Sequence, residues 1–177
     1  ELAPPEAVDL LRRGGREVLL LGKQVAEEMG FEVLHLFVDA LWVRKTGARY
    51  AADFRALQDA IAARTGLGIS LDGVYRWVAF LPSLADERIP VANRYFGVFQ
   101  DGEIKVRGIE SRRRDTPPWI REVQTAMLNA LAEAYTMQGL REKVNKAFTL
   151  FQQALEALRA GRVPVAKLVV TSRIAKK

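Results

Sequence analysis

The chain contains no cysteine and a single histidine, His35. Without cysteine there is no disulfide framework and no thiolate metal site, and one imidazole cannot assemble a histidine-rich centre, which argues against zinc chemistry. No apolar run approaches the roughly 20 residues needed to span a bilayer. The N-terminus lacks the charged, apolar and small-residue regions of a signal peptide. A soluble chain with no membrane partner is therefore expected, and a cytoplasmic location fits. Internal repeats and low-complexity linkers are absent as well.

What is present is 177 residues, 49% of them hydrophobic, enough for one good core or for one domain with a helical appendage. The chain opens at Glu1 rather than methionine, so the expectation is a trimmed chain or a piece of a longer polypeptide, with part of any site on absent residues. The net charge of +6 is unevenly placed: residues 1–90 carry 11 basic and 13 acidic side chains, and residues 91–177 carry 16 and 8. Such segregation marks either a solvated basic surface or a face for nucleic acid or acidic membrane.

Val8, Leu11, Val18, Leu21 and Val25 recur at helical spacing over 5–29, with Gly14 and Gly15 as a weak point and Gly30 as a stop. The runs 31–37 and 41–45 read as strands of a tight hairpin with Asp39 at its tip. Phe54, Leu57 and Ile61 give a second helix over 50–63, and 69–81 reads as one long extended segment. Asp86, Glu87 and Arg88 lie in a loop between prolines. A second hairpin joins 93–99 to 102–107 about Asp101-Gly102. Thr116 followed by Pro117 and Pro118 supplies a helix start with a hydroxyl cap. Two long helices follow over 119–135 and 140–160, joined closely enough to run antiparallel. Residues 167–174 read as a last extended segment. The fold class is α+β.

The densest cationic stretch is Lys105, Arg107, Arg112, Arg113 and Arg114, preceded by Arg94 and Tyr95. Arginine suits phosphate because its planar fork donates two hydrogen bonds and keeps its charge. Lys105 and Arg107 share one face of an extended chain, with Val106 turned to the core. Two readings stand: phosphate contacts, or an internal salt-bridge network using Glu110 and Asp115, each holding for different arginines. Trp119, Phe148 and Phe151 have the spacing of core residues rather than of base-stacking platforms.

In order, an Arg-Tyr strand, Arg107-Gly108-Ile109-Glu110 and Arg113-Arg114-Asp115 resemble the palm-to-thumb passage of family B DNA polymerases. The resemblance extends upstream through the helix ending in Met29-Gly30-Phe31 and the hairpin 33–43. It implies an antiparallel palm-type sheet with helices over 1–115 and a two-helix thumb over 116–177. It also implies binding of duplex or primer-template DNA by Arg94, Tyr95, Lys105, Arg107, Arg112, Arg113 and Arg114. The family's Asp-Thr-Asp signature falls on the hairpin tip, with Asp39 on the second aspartate as catalytic and metal residue for Mg2+. Phe37 stands at the first aspartate and offers no ligand.

Asp39 is equally a turn aspartate bonding local amides. Ala92 and Asn93 replace two lysines that approach the primer-template minor groove in the family. No counterpart appears of the family's other aspartate motif or of its nucleotide-binding Lys and Tyr helix motif. The resemblance therefore implies a polymerase portion that does not polymerise alone, with the remaining domains on the same or a second chain. The alternative is a non-catalytic DNA-binding or assembly subunit on the polymerase scaffold. A third reading is an unrelated basic α+β module that binds RNA.

Overall fold

The computed structural model describes residues 5–171, with side chains described from Gly14 onward except that of Met137. Val8 and Leu11 thus lie outside the described side chains. The chain divides into two compact units, Glu1–Val74 and Tyr75–Lys177.

In the first unit, α1 (Pro5–Glu28) is continuous through Gly14 and Gly15. It ends in a Schellman motif. Gly30, at φ +77°, donates to Glu27 O at 3.0 Å, and Phe31 N donates to Ala26 O at 2.9 Å. The positive φ is why glycine stands there. The turn drops Phe31 into a core of Val25, Ala26, Phe54, Leu57 and Ile61, where its ring lies 5.8 Å from that of Phe54.

Strands β1 (Glu32–Phe37) and β2 (Ala40–Arg44) form the expected antiparallel hairpin, with Val38 and Asp39 as its two-residue turn. The next helix is split. Ala51–Phe54 is a 3-10 turn and α2 (Arg55–Thr65) follows. The tightening has a local cause, since the Asp53 carboxylate accepts hydrogen bonds from the amides of Arg49 (2.7 Å) and Tyr50 (2.8 Å).

The long extended segment expected over 69–81 is half strand. Ile69, Leu71 and Val74 pack against the core of the first unit, and Ile69 O accepts from Gln58 Nε2 at 3.3 Å. Regular pairing begins only with β3 (Tyr75–Pro82) in the second unit. Both stretches are apolar, so composition alone joined them.

In the second unit β3, β4 (Pro90–Phe99) and β5 (Ile104–Arg107) form an antiparallel sheet in that order. The β4–β5 register sets Tyr95 opposite Arg107 and Gly97 opposite Lys105. α3 (Pro118–Ala132) and α4 (Met137–Arg159) follow, packed together across a short joint. The sheet holds that joint: Arg76 Nη1 donates to Ala132 O (3.2 Å), Trp77 Nε1 donates to Ala134 O (3.1 Å), and the Arg76 guanidinium lies 3.8 Å from the Tyr135 ring. These contacts satisfy carbonyls that the end of α3 would otherwise leave open.

Several expectations are corrected. The strands form a two-stranded and a three-stranded sheet rather than one. Thr116 caps nothing: Pro117 is the cap residue of α3 and makes no side-chain cap bond. The hydroxyl cap belongs to α4, where Thr136 Oγ1 accepts from Gly139 N at 3.0 Å. Val165–Lys167 is a 3-10 turn and 168–171 joins no strand, while 172–174 lie outside the described residues. Among the described residues no helix is long and apolar enough to cross a membrane.

Candidate nucleic-acid interface

The arginine run leaves β5 through a very close backbone approach. At Gly108, φ is +62° and the position a Cβ would take lies 1.9 Å from Asn93 O, so no side chain fits. This passage brings Gly108 O to Arg94 Nε, which donates to it at 3.2 Å. Arg94 Nη2 also donates to Glu110 Oε1 at 3.3 Å. The other Glu110 oxygen accepts from Gln124 Nε2 of α3 at 3.1 Å, and Gln124 Oε1 accepts from Ser111 N. Arg121, one turn earlier on α3, donates to the carbonyls of Arg113 (3.2 Å) and Thr116 (3.4 Å).

These bonds form a clamp in which β4 grips the start of the 108–116 segment and one face of α3 grips the rest. The Glu110 carboxyl is held below its ordinary range, first by the hydrogen bond from Gln124, then by a backbone amide, with the charges of Arg94 and Arg113 adding to the effect.

The clamp sorts the candidate cations. Arg94 is spent on Gly108 and Glu110. Arg113 forms a two-bond fork with Asp115, at 3.0 and 2.7 Å, which lowers the Asp115 carboxyl and raises the guanidinium. Tyr95 is only 4% exposed, its ring 5.6 Å from Phe80. Lys105 is half-buried in β5. Arg107, Arg112 and Arg114 are exposed, and their guanidinium groups form no hydrogen bond or ion pair with the described residues. Both readings of the run thus hold, for different arginines. Gln124 and Arg121 were not singled out by sequence; their i, i+3 spacing on α3 was the signal available.

In the other unit, Asp39 occupies the exposed hairpin turn beside Val38, whose φ of +56° is a rare conformation for a β-branched residue. The Phe37 ring stacks on His35 with centroids 6.4 Å apart. Among the described residues no three His, Cys, Asp or Glu side chains are grouped to hold a metal ion. A pair of divalent ions needs several hard oxygen ligands, and a lone turn carboxylate does not fit that need.

The aromatic residues assigned to the core are corrected. Phe148 is 55% and Phe151 43% exposed, and Trp119 is half-buried with Lys167 Nζ 5.9 Å from its ring centroid.

The family model described as DNA polymerase family B matches residues 92–177, from β4 through the clamp and both long helices. A DNA polymerase of Archaeoglobus fulgidus is 27% identical over 164 residues, 92% of this chain and 19% of the relative. DNA polymerase 2 of Aeropyrum pernix is 28% identical over 165 residues, covering 93% of this chain and 18% of the relative. Among solved structures, the family B DNA polymerase from Pyrobaculum calidifontis aligns with a TM-score of 0.62 and 26% identity, over 94% of this chain and 19% of that one. The chain is thus homologous to a stretch of family B polymerases and shares its mixed helical and antiparallel arrangement. It spans about a fifth of the length of these relatives.

Proposed function

We propose, from that homology as premise, that the chain is the palm-and-thumb portion of a family B DNA polymerase or polymerase-like protein and binds primer-template duplex. In this reading 1–115 belongs to the palm and 116–177 to the thumb. The observation that supports it most is the clamp on 108–116, which with the end of β5 fixes the backbone while leaving Arg107 of β5 and Arg112 and Arg114 of the clamped segment exposed. Guanidinium groups held on a braced segment lose less freedom on meeting phosphates than groups on a loose loop. Arg94 and Arg113 act as braces. Lys105 and Tyr95 lie beside the same strand pair and contribute little exposed surface.

The chain does not incorporate nucleotides by itself. Phe37 removes one expected metal ligand, and Asp39 alone does not hold a pair of Mg2+ ions. The remaining polymerase domains, on the same or a second polypeptide, are the expected partners. A second reading, a non-catalytic DNA-binding or assembly subunit on this scaffold, is favoured by Phe37 together with Ala92 and Asn93, which weaken both the catalytic tip and the minor-groove contact.

The test is the salt dependence of anisotropy with a labelled primer-template duplex. Replacing Arg107, Arg112 and Arg114 by alanine together lowers the log-log slope by about 2.7, at about 0.9 per phosphate contact. Arg113→Ala alone moves it far less. An unchanged slope in the triple variant, or tighter binding of single-stranded RNA than of duplex, refutes the proposal.

A further inference from the structure

On α4, Val144, Phe148, Phe151, Leu155 and Leu158 are separated by steps of four, three, four and three residues, the spacing of a coiled-coil seam. Such a seam is normally closed by a neighbouring helix. Here most of it is open: Val144 is 51% exposed, Phe148 and Phe151 face solvent with rings 6.3 Å apart, Leu158 is exposed as well, and Leu155 is half-buried. A contiguous apolar face of this kind on a soluble surface marks an interaction site.

The edges of the seam say what covers it. At 100° per residue, Ala147 and Ala154 line one edge, and Ala147 is buried. The other edge is Asn145, Gln152 and Arg159, with Arg141 in line at the first turn, all exposed. Glu142 and Glu156 lie farther round the helix, about 60–100° beyond the two arginines by the same spacing. Lys143 and Lys146 are occupied by Glu133, at 2.5 and 2.6 Å. The charges bordering the open seam are therefore two arginines, about 27 Å apart along the axis.

We propose that this face of α4 docks an amphipathic helix of a partner protein, one whose apolar seam is bordered by carboxylates near both ends. A second copy of this chain is a poorer occupant, because it brings arginines where the edge calls for acids and adds another net charge of +6.

The probe is a fluorescein-labelled peptide of about three heptads, with leucine in the four-three pattern and glutamate on its flanks, beside a twin with lysine for glutamate. The whole 177-residue chain is titrated against both. The acidic peptide binds and the basic one does not. Phe148→Ser with Phe151→Ser weakens the acidic peptide about tenfold or more. Because those rings are exposed, the variant is expected to keep its circular dichroism and melting. Should it not, Arg141→Glu with Arg159→Glu tests the same surface without touching the seam, and reverses the peptide preference.

Equal binding of both peptides, or of neither, overturns the proposal. So does a concentration-dependent dimer in sedimentation that the serine variant dissolves, which makes a second copy the occupant. Co-sedimentation with phosphatidylserine vesicles without any peptide preference makes it a membrane face, and overturns it too.

Discussion

Replacing Gly108 by alanine attacks the clamp at the point where the structure leaves least room. The new Cβ would sit 1.9 Å from Asn93 O, 2.9 Å from Asn93 C and 3.0 Å from Arg94 Cγ. Two of these neighbours are backbone and cannot swing away as a side-chain tip can. A non-glycine residue in the left-handed region costs roughly 1–2 kcal/mol, and overpacking that shifts backbone costs about 1–3 kcal/mol more. The expected loss is therefore about 2–5 kcal/mol, a large fraction of the stability of a unit this size.

Relief of the clash requires the strand ends at Asn93 and Gly108 to separate. That withdraws Gly108 O from Arg94 and loosens Glu110 from Gln124. Urea denaturation followed by tryptophan fluorescence reads the stability, and duplex anisotropy reads the arginine run. The matched control is Gly15→Ala, in the interior of α1 with nothing within 4 Å of the added Cβ, which gains about 0.5–1 kcal/mol. If Gly108→Ala stays within about 0.5 kcal/mol of the parent, the range of ordinary surface substitutions, the close approach and the bracing built on it are wrong.

The Glu133 carboxyl is lowered to about 2 by hydrogen bonds from Lys143 and Lys146. Its folded value lies below its unfolded one, so its contribution is fully present above the unfolded pKa of 4.5 and is lost as pH falls from there towards about 2. Glu133→Gln should remove this part of the acid dependence of the urea midpoint between those limits; an identical acid profile in the variant refutes the pairing. Thr136→Ala should destabilise by about 1 kcal/mol through loss of the α4 cap, while Thr116→Ala should change stability by less than about 0.5 kcal/mol; the reverse order in thermal denaturation would return the hydroxyl cap to α3.

The elements readable from sequence were those whose cause is local. Gly30 after Met29 stops α1, a tight turn about Asp39 joins β1 to β2, and Asp101-Gly102 joins β4 to β5. In each case dihedral preference and apolar period act within a few residues. The basic half was legible for the same reason, since charge is additive along a chain. Less legible was 69–81, where a continuous apolar run hid a change of partner at Val74/Tyr75 from the helical core of one unit to the sheet of the next.

The sequence by itself determined the helices, the two hairpins, the homology and the location of the cations in the second half. Tertiary structure alone decided which cations are available: Arg94 meets Glu110, Arg113 meets Asp115, and Gln124 reaches back 14 residues to close the clamp. It also decided that the Phe148 and Phe151 seam faces water rather than a core. The reason is that periodicity states which side chains share a face, while only the packed chain states what that face meets.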